Sequence, residues 1–182
     1  MSNKKEYINE KYVIMNTLSV TETMSFGKWY KIYKRSNMIS TKWFQGTNNI
    51  NEVLDIRKKV LIEELSLNEN NISDIFDEFA FNAVVYDNNN AVGTGRLLFK
   101  EGKYFIDNVC VLKEFRGRHY GDLIVRMLVR RAVNMGAEKT YTECKSCCRK
   151  IFENIGFETV QSNKSGINLM VMSGDVGGHC KH

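Results

Sequence analysis

The sequence predicts a mixed α/β domain, in which an antiparallel meander runs into a strand–helix–strand unit with a parallel strand pair. Three apolar segments, 80–86, 91–99 and 104–112, are separated only by the turn-forming stretches DNNN and KEGK. That pattern reads as successive hairpins. One amphipathic helix then divides the third segment from a further strand candidate, EKTYTEC. A crossover of that length joins strands that run parallel. The chain has 182 residues, of which 43% are hydrophobic and 26% charged, and this suits one soluble domain around one core.

Each element follows from local pattern. Residues 1–37 hold YVIMNTLSV and KWYKIYKRS, which have strand character without clean alternation. They read as an extension, with the domain occupying 38–173 and a tail at 174–182. MISTKWF is the first strand. TNNINEVLDIRKKVLIEEL is an amphipathic helix, because Ile50, Val53, Leu54, Val60 and Leu61 fall near helical spacing. Asn49 is placed to cap it, with Glu52 three residues on to complete a capping box. NENNISDIFDEF is a polar, acidic connection to the meander.

After the meander, FRGRHYGDLI leads into the long helix. Leu123, Ile124, Met127, Leu128, Ala132 and Met135 form its apolar face, and Asp122, Arg126, Arg130 and Asn134 lie opposite. Gly136 is the stop signal. KSCCRKIFENIG reads as a second short helix, and FETVQ and INLMVMS as strands joined by SNKSG.

Composition excludes several function classes. No apolar run is long enough to cross a bilayer, and the polar start lacks a secretory h-region, so a cytoplasmic location and no membrane partner are expected. The net charge of +5 fits an anionic ligand but falls short of a dedicated nucleic-acid binder. Arg126, Arg130 and Arg131 are the only support for nucleic acid. The five cysteines, Cys110, Cys144, Cys147, Cys148 and Cys180, are odd in number, which points to reduced thiols.

FRGRHYGDLI carries the clearest chemistry. At a strand-to-helix turn the first helical N–H groups are unsatisfied, and the positive end of the helix dipole adds to them. Gly117 and Gly121 let an anion approach the backbone, and Arg116 and Arg118 offer charged donors. The same ten residues also read as a plain corner with solvated arginines. They are not a Walker A loop, and no G-x-G-x-x-G occurs.

In its order of motifs the chain resembles the GCN5-related N-acetyltransferases, the GNAT superfamily, in its ElaA-like branch. Arg116-Gly117-Arg118-His119-Tyr120-Gly121 is similar to that family's Q/R-x-x-G-x-G/A loop, with His119 in place of the middle glycine. IFENIGFETV resembles the family's FYEKLGF segment. IRKKVLIEEL followed by NAVVYDNNNAVGTGRLLF resembles the branch's N-terminal half. The resemblance spans about residues 38–173. It implies splayed parallel fourth and fifth strands and acetyl-CoA as cosubstrate, with its pantetheine arm along the fourth strand. Val109 and Val111 would line that arm. Arg116, Arg118, His119, Tyr120, Gly121 and Asp122 would offer amides to its phosphates. The implied activity is acetyl transfer to a primary amine, on a small molecule or a protein, and a homodimer is compatible with it.

Three points need the structure. His119 is expected to avoid positive φ, because it opens a right-handed helix. The family commonly has a tyrosine as general acid where Phe152 stands. Asp107 shares alternation with Val109 and Val111, unless a bulge intervenes, and is the candidate general base. Glu63 and Glu64 are lesser candidates, and Arg57 and Arg96 could meet an anionic part of the acceptor. Cys144, Cys147, His179, Cys180 and His182 invite a zinc reading. In the order of strands the resemblance implies, however, Ser173 lies at the start of the fifth strand and Cys144 at its end, so no metal is expected.

Overall fold

The computed structural model describes residues 38–176. The proposed extension 1–37, and residues 177–182 of the tail, lie outside the described residues. β1 (Ile39–Gln45), β2 (Phe81–Asp87), β3 (Asn90–Lys100) and β4 (Lys103–Val111) form consecutive antiparallel pairs. β5 (Lys139–Lys145) runs parallel to β4, and β6 (Glu158–Ser162) and β7 (Ile167–Ser173) complete the sheet in the order β1-β2-β3-β4-β5-β7-β6. This is the mixed sheet the sequence predicts.

Helices cover both faces because β2 alternates. Ala83 and Val85 pack with Ile124, Val125, Leu128, Val129 and Ala132 of α2 (Tyr120–Asn134). Val84 and Tyr86 pack with Ile50, Val53, Ile56 and Val60 of α1 (Asn51–Arg57) and its extension. The buried face of α2 is broader than its expected stripe. Val125 and Val129 are fully buried, whereas Met135 is exposed. α2 also lies close on the sheet because β3 is thin there. A Cβ on Gly95 would stand 2.6 Å from Ile124 and 2.9 Å from Leu128, well inside van der Waals contact.

The first helix departs from expectation at both ends. Asn49 takes φ 57 and is no cap; Ile50 stands at the cap without a side-chain bond. Glu52 instead accepts the Tyr86 hydroxyl. Beyond Arg57 the coil widens into a π-helix over Lys58–Glu64, a form frequently seen at functional sites.

The acidic connection is not merely polar. Arg57 and Asp77 are both wholly buried. Arg57 donates to both Asp77 oxygens at 3.0 and 3.1 Å, to the Ile72 carbonyl and to Asn82. Asp77 also lies 3.0 Å from Arg96. Arg96 in turn donates to Asp74 at 2.7 and 2.8 Å and to Asp107 at 2.7 and 2.8 Å. Arg57 and Arg96, expected to face an acceptor, therefore lie inside the protein and tie α1, the 72–78 connection, β2, β3 and β4 together. Among the described residues no helix is long and apolar enough to cross a membrane. On α2, Arg126 pairs with Asp122, Arg130 with Asp175, and Arg131 stacks on Phe81 at 4.4 Å.

Two outcomes follow for stability. Asp77→Ala leaves the buried Arg57 charge short of its partner and is expected to cost about 3–5 kcal/mol in urea unfolding. Glu153→Gln, which removes the exposed partner of Arg149, should cost about 0.5 kcal/mol or less. Asp74 is held below the usual carboxylate range, chiefly by its hydrogen bonds from Arg96. Burial pushes Asp77 up, but Arg57, Arg96 and the Asp74 N–H together bring it below that range. Groups depressed in the fold add stability above their unfolded value, about 3.9, and lose it as pH falls through the folded value. Stability should hold from neutral pH to about pH 4 and fall below it, and Asp77→Asn should shrink that acid dependence.

Candidate active site

β4 and β5 pair at only three positions, Tyr104 with Thr140, Phe105 with Tyr141 and Ile106 with Thr142. Beyond these, β4 stays with β3 as far as Val111 and β5 stays with β7 as far as Lys145. A fork therefore opens in the sheet. Its cause is in β4. Arg96 faces Asp107 and Thr94 faces Cys110, so two steps on β3 answer three on β4. Asn108 and Val109 together oppose Gly95, and Asn108 takes φ 47. Such a bulge bends its strand and sharpens its twist, here one residue beyond the last β4–β5 pair.

The fork exposes backbone. Leu112 donates its N–H to the Val92 carbonyl on the β3 side, at 3.0 Å. By alternation the polar groups of Val111, and of Val109 before it, face the fork. Their side chains lie on the α2 side, since a Cβ on Gly95 would touch Val109 and one on Gly93 would touch Val111.

The turn from β4 to α2 is built by its side chains. Arg116 donates Nε to the Val111 carbonyl at 3.0 Å and pairs with both oxygens of Glu64 at 2.6 and 2.7 Å. Its own N–H goes to the Lys113 carbonyl. Arg118 and Tyr120 both donate to Asp87, at 3.1 and 2.8 Å, at the buried end of β2. Burial and the Asp87 bond push the Tyr120 hydroxyl up, so it stays a donor. Asp122 accepts from Arg126. The arginines expected to reach a phosphate are thus committed to carboxylates, and Arg116 has spent its amide as well.

What remains for an anion is backbone. The first intrahelical bond of α2 runs from the Leu123 N–H to the His119 carbonyl. The amides of His119, Tyr120, Gly121 and Asp122 precede it and have no acceptor within the helix. His119 itself corrects an expectation. It adopts φ 62 and ψ 14 as the N-cap, with no side-chain capping bond. The position does require a left-handed backbone, and histidine bears the cost there. Its ring is exposed. Gly121 packs against α3 (Arg149–Glu153); a Cβ there would stand 2.7 Å from the Cδ1 of Ile151, which would have to move.

The bulge also corrects Asp107. It breaks the alternation, so Asp107 lies on the α1 face, opposite the Val109 and Val111 side chains. Both its oxygens accept from Arg96, which leaves it ill placed to take a proton. Of the lesser candidates, Glu64 is bound to Arg116, and Arg116 holds its carboxyl below the usual range; Glu63 lines a groove beside it. Phe152 is buried in the core, edge-on to Phe157 at 5.4 Å. Lys139 sits opposite Ser173 and Cys144 opposite Asn168, so the end of β7 and Cys144 lie apart as expected. His179, Cys180 and His182 lie outside the described residues. The residues that pattern reading missed are Asp74, Asp77 and Asp87. The first two had a local signal, since SDIFDE contains the reciprocal cap that Asp74 and Asp77 make; Asp87 had none.

The family model of the GNAT acetyltransferases matches residues 49–157. An uncharacterized N-acetyltransferase of Bacillus subtilis (strain 168), YjcF, is 24% identical over 109 residues, which is 60% of this chain and 78% of the relative. Escherichia coli ElaA superposes with a TM-score of 0.65 at 15% identity, over 75% of this chain and 100% of that one. An acyl-CoA N-acyltransferase from Pseudomonas aeruginosa gives 0.62 at 14% identity, over 74% and 99%.

Because His119 carries a left-handed backbone, His119→Gly should stabilise the fold by up to about 1 kcal/mol, the relief of αL strain less the greater unfolded-state freedom of glycine. Urea unfolding measures it. His119→Val should destabilise.

Proposed function

The chain belongs to the GNAT acetyltransferase family, and on that premise we propose that it transfers an acetyl group from acetyl-CoA to a primary amine by direct attack in a ternary complex. Acyl transfer from an acyl-CoA is the family's general chemistry. The observation that carries the proposal is the fork. A bulged strand, unpaired with β5 beyond Ile106 and with its Val111 carbonyl taken by Arg116, leads to four consecutive amides at the start of α2 that have no acceptor in their helix. In this reading Val109 and Val111 line the pantetheine arm, and the amides of His119, Tyr120, Gly121 and Asp122 receive the phosphates. Arg116, Arg118 and the side chain of Tyr120 hold the turn in shape through Glu64 and Asp87. The exposed Lys113, Lys145 and Lys150 add positive charge near the rim.

The acetyl donor supplies a thioester, whose leaving thiol resembles cysteine, with a pKa of about 8.5. A thiolate leaves readily, so the missing hydroxyl at Phe152 is tolerable. The acceptor loses its proton to solvent rather than to Asp107, and the rate comes from holding amine and thioester together. Asp107 is instead a positioning residue, fixing Arg96 beneath the fork.

A second reading, a non-catalytic acyl-CoA-binding module, is favoured by Phe152, which cannot donate a proton. Calorimetry with acetyl-CoA followed by a panel of amines with a free-thiol readout separates the two. Saturable binding with amine-dependent thiol release is expected. Binding without release supports the second reading, and no binding removes both. The pH profile of kcat/KM tests the base. It should rise with pH as the acceptor ammonium loses its proton, and Asp107→Asn should leave the midpoint of that rise in place. A midpoint that vanishes in Asp107→Asn, with kcat down by about 10²–10⁴, would restore Asp107 as the base.

A further inference from the structure

Cys147 and Cys148 take no part in the acyl-transfer reading, yet among the described residues they are the exposed thiols; Cys110 and Cys144 are buried. They are neighbours in the 3-10 turn Ser146–Cys148, which joins β5 to α3. Their sulfurs stand 3.7 Å apart. Because β4 and β5 run parallel, this turn lies at the same end of the sheet as the β4–α2 turn. Ile151, three residues on, approaches Gly121, so the thiol pair sits at the rim of the fork.

Chemistry narrows what such a pair can hold. A disulfide between adjacent residues would span Cα atoms about 3.8 Å apart, below the usual range of about 4.4–6.8 Å, and would be strained. A zinc site needs about three or four protein ligands. Among the described residues no three His, Cys, Asp or Glu are grouped to hold a metal ion. Cys144, the nearest further thiol in sequence, is turned inward and lies 3.5 Å from the Met170 sulfur. What fits is a soft centre that needs two sulfurs and brings its own third substituent.

We propose that Cys147 and Cys148 form a two-thiol site for a monosubstituted trivalent arsenical at the rim of the fork. The binding step balances without an oxidant or reductant. In R–As(OH)₂ two As–O bonds break along with the two S–H bonds, two As–S bonds form, and two waters leave with arsenic still trivalent. The pair is suited to meeting its ligand as thiols. Although solvent reaches Cys148, partial desolvation by its neighbours and the hydrogen bond with Cys147 push it up to about 11, which slows its attack on oxidants. The site does not depend on the acyl-transfer reading, because its occupancy is read from mass and thiol count alone.

The test treats the reduced full chain with phenylarsine oxide. The expected result is uptake of one equivalent by intact-mass measurement and the loss of two titratable thiols, both reversed by an excess of a small dithiol. Cys147→Ser and Cys148→Ser should each abolish uptake, and Cys180→Ser should retain it, with circular dichroism verifying that each variant is folded. No uptake by the unaltered chain, uptake that survives either turn variant, or uptake lost in Cys180→Ser would each overturn the proposal.

Discussion

The bond between Arg96 and Asp107 is the constraint on which the site depends. It fastens β4 to β3 at the last residue before the bulge, one position past the last pair between β4 and β5. Below it the strands keep ordinary pairing; beyond it β4 gains a residue and leaves β5. A bidentate arginine–carboxylate bond has fixed geometry, so it sets where the bend begins. Arg96 could not hold that place alone, because a buried guanidinium is costly without partners. Asp74 and Asp77 supply them, and Asp77 shares its charge with Arg57. The fork is therefore braced by the connection between α1 and β2, which supplies Asp74 and Asp77 to Arg96.

The β4–α2 turn follows the same logic on a smaller scale. Arg116, Arg118 and Tyr120 reach back to Glu64, Asp87 and the Val111 carbonyl, although both guanidiniums stay partly exposed. Turned outward, they would have been mobile donors. Turned inward, they hold a left-handed residue and a glycine in place, and the donors left over are amides with no freedom to move. Preorganised backbone dipoles need no reordering when an anion arrives. The identity of the side chain at position 119 matters little for that purpose, although its backbone conformation matters a good deal.

Much of the fold was legible because its signals are local. The alternation in FNAVVYD, the DNNN and EGK turns and the long apolar face before Gly136 each act over a few residues, and each gave an element at nearly its observed place. The Arg116–Gly121 stretch was legible for the same reason. The bulge was not, because AVGTGRLLF and YFIDNVCVL are each regular strands; the extra residue exists only in their relation. Asp107 was misplaced by that one-residue slip, which moves a side chain to the other face. Asn49 failed as a cap because it takes the left-handed backbone that asparagine tolerates, and Ile50 stands at the cap instead.

The sequence alone determined the order of elements, the family resemblance and the position of the β4–α2 turn, since hydrophobic period, turn residues and helix ends are written in neighbouring positions. Only the tertiary structure decided which charges are spent and which remain free. Arg57, Arg96, Arg116 and Arg118 look alike as letters, yet each is committed to a carboxylate 20, 11, 52 and 31 residues away respectively. The physical reason is that the worth of a charge depends on its surroundings in space, through burial and the partner it meets, and neither is a property of the nearby sequence.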